Sequence, residues 1–153
     1  IAVLAEMIIP QTDTPGAVTC GVPAFIEMMV ADWYTDTERR IFLAGLRDLD
    51  MECLLNHREN FAQCDETQRA AALAESEKAA STYVSPFAGG PIGLAMSKLV
   101  DEHTPFFTKL KELTVIGFFS SEIGATQVLA YNPMPMRYDG DYDYAKTGRQ
   151  WSY

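Results

Sequence analysis

Few side chains in this sequence have the types and spacing that catalysis or metal binding requires. Its 153 residues include two histidines, His57 and His103, and neither lies in the E-x-x-H or H-E-x-x-H frames of di-iron and zinc sites. The G-x-S-x-G, P-loop and G-x-G-x-x-G motifs of hydrolases, phosphate sites and dinucleotide sites are also missing. We therefore expect no catalytic residue, no cofactor site and no metal ligand on this chain.

One acidic segment resembles a metal-binding motif. Asp139, Asp141 and Asp143 alternate as they do at the start of a calcium loop. The sixth position of such a loop would be Tyr144 instead of glycine, and the twelfth would be Gln150 instead of glutamate. The pattern therefore favours an acidic turn over a calcium site.

The three cysteines, Cys20, Cys53 and Cys64, have no C-x-x-C spacing, which argues against zinc-ribbon and thioredoxin-like sites. One interpretation is that all three are small buried residues. The other is a disulfide between Cys53 and Cys64, because eleven positions across a helix-turn-helix corner can bring two Cα atoms within bridging range. An oxidising compartment would favour the second interpretation.

Composition and charge exclude several classes of partner. The net charge is −9 and the basic residues are scattered, so the chain would repel nucleic acid and anionic membrane surfaces. No apolar run reaches the length of a membrane span, so we expect no direct membrane insertion. The chain begins inside an apolar segment at Ile1, and we expect a processed product that has lost its targeting segment.

Helical spacing of apolar residues predicts an all-α fold, an irregular bundle of about five helices. Capping boxes begin the helices at Thr35, with Glu38, and at Asp65, with Gln68. Proline and glycine predict a loop over 81–91. The other predicted helices cover 2–9, a stripe from Pro23 to Trp33, a stripe from Ile92 to His103, and a restart at Thr104-Pro105 that carries Phe106, Leu110, Leu113 and Gly117.

The C-terminal segment 131–153 contains prolines and many aromatic residues. It is too aromatic for a disordered linker and too irregular for a helix. We expect one domain over 1–153, with a helical body over 1–130 and an extended tail over 131–153. The tail either wraps its own helices or lies on another protein, because Tyr and Trp are enriched as interface anchors.

Three blocks resemble the gluconate 2-dehydrogenase subunit 3 family. They are AEMIIP, TDTPGA and GVPAFI within 5–26, the helix and turn FF, LKELT and GFFSSEIGAT within 106–126, and the segment YNPMP with YDG within 131–140. Together they cover about half of the chain. The chain departs from the family pattern at Asp141, where the tail often continues into a cysteine, and in the more elaborate segments 81–91 and 92–103.

The resemblance implies a non-catalytic small subunit. Such subunits accompany a larger FAD-dependent, GMC-type sugar or sugar-acid dehydrogenase, often with a cytochrome c subunit. They are exported to the periplasm, usually by a twin-arginine signal, and act in a chaperone-like way on the flavoprotein. The alternative hypothesis is a standalone structural or homo-oligomeric periplasmic protein.

Two turns and the tail are the expected contacts with the partner. For each residue an intramolecular role is an equal alternative: a cap, a turn position or self-packing. The residues are Asp13, Thr14, Pro15, Gly16, Ser121, Glu122, Gly124, Tyr138, Trp151 and Tyr153.

Overall fold

The computed structural model describes residues 1–84, 101–131 and 140–152. Two compact units can be distinguished, one formed by Ile1–Ile26 with Leu113–Tyr153 and the other by Glu27–Glu112. We refer to them as the terminal unit and the central unit. The expectation of one domain over 1–153 stays a prediction.

Helices dominate the described part of the chain, and the all-α prediction is confirmed. No helix in this part is long and apolar enough to cross a membrane. The α-helices are α1 (Ala2–Ile8), α2 (Val22–Met28), α3 (Asp36–His57), α4 (Glu66–Ser81), α5 (Phe106–Ser120) and α6 (Tyr144–Thr147). Two π-helical turns cover Met29–Trp33 and Gly124–Val128, and two short strands are β1 (Ala130–Tyr131) and β2 (Trp151–Ser152).

The two predicted capping boxes are confirmed. The Thr35 hydroxyl accepts the Glu38 backbone N–H, while the Glu38 carboxylate accepts the Thr35 N–H at 3.1 Å. Asp65 and Gln68 exchange the same two bonds at the start of α4. Each pair satisfies backbone N–H donors that would otherwise have no partner at the start of a helix. The two residues of a pair lie within one turn, so the local sequence is enough to predict the motif.

A π-helical turn changes the predicted stripe from Pro23 to Trp33. The Tyr34 N–H bonds the Met29 carbonyl, five residues back, so one extra residue enters the turn. The extra residue changes which of the following side chains face the core. Trp33, which the spacing placed with the apolar residues, is 76% exposed, and Tyr34 is buried in its place.

Aromatic rings fill the core of the central unit. Phe42 is fully buried, with ring edges against Tyr34 and Phe106 at centroid distances of 6.2 and 5.2 Å. A Cβ added at Gly45 would lie 2.7 Å from the Cδ2 atom of Phe106. A side chain at that position of α3 would therefore collide with the ring.

In the terminal unit, α5 packs against α2 through a glycine. A Cβ added at Gly117 would lie 2.6 Å from the Phe25 ring, so the absence of a side chain lets the two helices approach closely. Strands β1 and β2 run parallel and pair Ala130 with Trp151. Part of the tail thus lies along the chain that follows α5.

Several predictions concern residues 85–100, which lie outside the described residues. They include most of the loop over 81–91 and the stripe from Ile92 as far as Leu99. His103, the last member of that stripe, lies in a turn before α5 instead of on a helix. The Asp101 carboxylate accepts the His103 N–H at 3.0 Å, and this bond stabilises the turn.

Candidate interaction surfaces

Hydrogen bonds to Glu6 hold the predicted contact turn over 13–16 against α1. The Glu6 carboxylate accepts the N–H groups of Gln11 and Val18, each at 2.8 Å. The Gln11 side-chain carbonyl accepts the Gly16 N–H at 2.9 Å. Within the turn, Asp13 is exposed and accepts the Thr12 hydroxyl, while Thr14 and Pro15 are half-buried.

Gly16 has an internal steric role in this turn. A Cβ there would lie 2.5 Å from the Gln11 backbone nitrogen and would overlap the Glu6 carboxylate. The glycine therefore lets the chain approach α1 closely. The predicted role of this turn in partner contact stays a prediction.

The second predicted contact turn caps the end of α5. The Ser121 hydroxyl donates to the Phe118 carbonyl at 2.7 Å and accepts the Gly124 N–H at 2.9 Å. A Cβ on Gly124 would come within 3.0 Å of the Phe118 carbonyl carbon. Glu122 is exposed, so it is the residue of this turn that presents its side chain to solvent.

In the tail, the predicted contact residue Trp151 lies against Tyr142, with ring centroids 5.9 Å apart. Its indole remains 39% exposed. The Arg149 guanidinium bonds the Gln127 carbonyl and so fastens the same segment. Tyr138 and Tyr153 lie outside the described residues.

The last aspartate of the acidic motif has a structural role in the tail. Asp143 caps α6, because its carboxylate accepts the Ala145 N–H at 3.0 Å. Asp139 lies outside the described residues. Among the residues that are described, no three His, Cys, Asp or Glu side chains are grouped so that they could hold a metal ion.

An apolar surface that the sequence analysis missed lies on α3, in the central unit. Leu43, Met51 and Leu54 are 39%, 55% and 40% exposed, and Leu55 is 77% exposed. Arg40 and Arg47 follow the same spacing of three and four residues and are also exposed, so the six side chains share one side of the helix. We call these six residues the α3 outer face.

The α3 outer face differs in charge from the rest of the chain. Its six residues include two arginines and no carboxylate, in a chain whose net charge is −9, and the exposed Asp36 and Asp48 of the same helix lie beside them. It extends over about 22 Å of helix at 1.5 Å per residue. Arginine beside large apolar side chains is typical of protein interfaces, so this surface is the candidate docking site in the central unit.

Two carboxylates of α3 have partners within the central unit. Asp36 pairs with Arg39 at 3.3 Å, and Asp50 accepts the Phe61 N–H at 3.0 Å. The first contact lies within the first turn of α3, and the second joins α3 to the loop that follows it. The arginines of the α3 outer face remain exposed.

A partly buried polar cluster lies on the opposite side of the start of α3. The Lys109 ammonium is 3.1 Å from the Glu38 carboxylate, with the two side chains 16% and 18% exposed. It also lies 5.5 Å from the centre of the Tyr34 ring. Lys109 thus joins α5 to the capping box and to the residue that follows the first π-helical turn.

The protonation states of this cluster suit a structural link. Burial alone would raise the pKa of Glu38, but hydrogen bonds from Lys109 and Thr35 outweigh it and lower that pKa. Burial, with the nearby Glu112 and Glu38 carboxylates, raises the pKa of Tyr34. Near neutral pH the cluster therefore holds an ion pair and a protonated phenol. The buried Tyr34 hydroxyl has no hydrogen-bond partner among the described residues.

Comparison with known proteins identifies the family. The family model described as gluconate 2-dehydrogenase subunit 3 matches residues 1–136. Searches of curated proteins and of solved structures gave no significant match. The family match spans most of the chain, including both predicted contact turns and α3, so the chain belongs to the gluconate 2-dehydrogenase subunit 3 family.

Proposed function

We propose that this chain is the non-catalytic small subunit of a dehydrogenase complex and that it binds, stabilises and helps to export a larger FAD-dependent, GMC-type subunit. Family membership carries the proposal, because the family is defined as a dehydrogenase subunit. Catalysis and the FAD belong to the partner in this proposal. The partner in this proposal acts on a sugar or a sugar acid.

The α3 outer face supports a docking role and suggests the chemistry of the partner surface. Four large apolar side chains with two arginines fit a surface that is apolar at its centre and acidic at its rim. Burying Leu55, the most exposed of the four, would contribute roughly 1.5–3 kcal/mol on hydrophobic transfer alone. The proposed occupant is the large flavoprotein subunit.

Stabilisation follows from selective binding. A subunit that binds the folded flavoprotein but not its unfolded chain shifts the folding equilibrium by mass action. Chaperone-like action therefore needs no active site. Export to the periplasm by a twin-arginine signal, with the folded flavoprotein as passenger, is part of the same proposal.

Affinity capture of the tagged chain from the periplasm of its native cells tests this function. We expect a co-purifying protein of several hundred residues together with the visible absorbance of a flavin. Mass spectrometry identifies the companion, and acid release of the chromophore identifies FAD. A colourless chain without a companion would contradict the proposal.

Size-exclusion chromatography of the chain expressed alone tests the alternative. A stable, soluble homo-oligomer that captures no flavoprotein would favour a standalone structural protein. A chain that is poorly soluble alone but soluble when co-expressed with the flavoprotein supports the subunit function, because its apolar face then depends on the partner.

A further inference from the structure

The corner between α3 and α4 places two cysteines together. Helix α3 ends at His57, Arg58 turns the chain with φ of 63°, and α4 begins at Glu66. Cys53, near the end of α3, is 1% exposed, and Cys64, just before α4, is 3% exposed. Both are free thiols, and the Cys64 thiol is close enough to Cys53 to help raise its pKa.

Hydrogen bonds within the corner hold Cys64 in this position. The Phe61 N–H donates to the Asp50 carboxylate of α3 at 3.0 Å, and the buried Phe61 ring anchors the loop. The Cys64 N–H bonds the Asn60 carbonyl at 3.1 Å, and its thiol lies 3.9 Å from the Glu59 carbonyl. The loop is therefore ordered around the thiol pair before any covalent bond forms.

We infer that Cys53 and Cys64 are a disulfide-forming pair that links α3 to α4 when the chain meets a thiol–disulfide oxidant. The Cys64 thiolate attacks the disulfide of the oxidant and releases one oxidant thiol. The Cys53 thiol then loses its proton, and its sulfur displaces the second oxidant thiol from the mixed disulfide. Two protein thiols are thereby oxidised and one oxidant disulfide is reduced to two thiols.

The two cysteines have different parts in this exchange. Burial and the contact with Cys64 raise the pKa of Cys53 to about 11, so Cys53 is a poor first nucleophile. Cys64 lies in the loop between α3 and α4, outside both helices. We therefore expect Cys64 to react first and Cys53 to complete the bond.

The occurrence of this bond in cells rests on the proposed function, because export would bring the chain into an oxidising compartment. The bond would close a loop of about ten residues and restrict the unfolded chain. We expect the midpoint of thermal unfolding to rise by about 5–10 °C.

Intact-mass spectrometry of the purified chain in glutathione redox buffers tests the inference. In glutathione buffers set to the redox potential of a secretory compartment, we expect the mass of the chain to fall by two hydrogen atoms and one thiol to remain alkylatable. Peptide mapping should show a disulfide between Cys53 and Cys64. Cys20→Ala is the matched control, because it removes the third cysteine and should still form the link. Three alkylatable thiols in the wild type, or a link to Cys20, would overturn the inference.

The reduced protein provides a second measurement that does not depend on any variant folding. Thermal unfolding of the oxidised and reduced wild type should differ by the shift given above, and equal midpoints would contradict the expected stabilisation. Failure of the link leaves the capture of a flavoprotein unaffected. A link that forms in glutathione while no flavoprotein is captured would count against the proposed function alone.

Discussion

The two sides of α3 contain similar apolar residues in different surroundings. On the inner side, Phe42, Leu49 and Cys53 are buried. On the outer side, Leu43, Met51 and Leu55 are exposed to solvent. The inner residues stabilise the fold, whereas the outer ones contribute little to it. A helix that is apolar on both sides needs a second surface to cover it, and this comparison connects the structure to a subunit function.

The largest expected effect on stability is on the inner side. Phe42→Ala removes a fully buried ring that contacts Tyr34 and Phe106, so we expect a loss of about 3–5 kcal/mol in the free energy of unfolding. Urea denaturation measures it. Leu43→Ala is the neighbouring control on the outer side, and its expected loss is below about 1 kcal/mol. Equal losses in the free energy of unfolding of the two variants would show that the inner and outer sides of α3 contribute alike to stability.

The next largest effect concerns the polar cluster. Lys109→Met leaves the Glu38 carboxylate, which is 18% exposed, without its cation, and we expect a loss of about 2 kcal/mol. Lys111→Met is the matched control, because its pair with Glu77 is more than half exposed. The control should change stability by less than about 0.5 kcal/mol. A Lys109 variant as stable as the control would show that the cluster does not stabilise the central unit.

The pH dependence of stability gives a smaller effect with a definite sign. The Glu38 pKa is lower in the folded chain than its ordinary value of 4.5. Its stabilising contribution is therefore present above pH 4.5 and is lost as the pH falls through the folded pKa. Denaturation curves at a series of acidic pH values should show that the free energy of unfolding falls less steeply with decreasing pH in Lys109→Met than in the wild type. Lys111→Met should keep the wild-type slope, and identical slopes in all three proteins would contradict this account.

Local signals in the sequence predicted the helix starts correctly. Thr35 with Glu38, and Asp65 with Gln68, lie three residues apart and form their bonds within one turn. Such features depend on neighbouring residues and need no knowledge of the tertiary fold.

Features that depend on distant residues could not be predicted in this way. The ion pair between Glu38 and Lys109 joins residues 71 positions apart, and the spacing of residues along the sequence does not indicate such a pair.

The π-helical turn before Tyr34 shifted the helical register and exposed Trp33. The α3 outer face was not singled out in the sequence analysis. The signal was present, since Leu43, Met51 and Leu55 repeat on the side opposite to Phe42.

The predicted contact turns illustrate a different limit. Gly16 and Gly124 stand out in the sequence, and both have steric reasons within the terminal unit. These internal contacts explain why glycine stands at both positions, and no contact with a partner protein is needed for the explanation. Partner contact at these turns and at Trp151 remains a prediction, for which exposed Glu122 and Trp151 are the informative substitutions.

Binding of the flavoprotein subunit by two matched variants tests the central claim most directly. Leu55 and Val84 are 77% and 80% exposed and both belong to the central unit, but only Leu55 lies on the α3 outer face. We predict that Leu55→Glu leaves the free energy of unfolding within about 0.5 kcal/mol of wild type and weakens capture of the flavoprotein by roughly 2 kcal/mol or more. Val84→Glu should capture it as the wild type does. Equal capture by both variants would contradict docking through the α3 outer face.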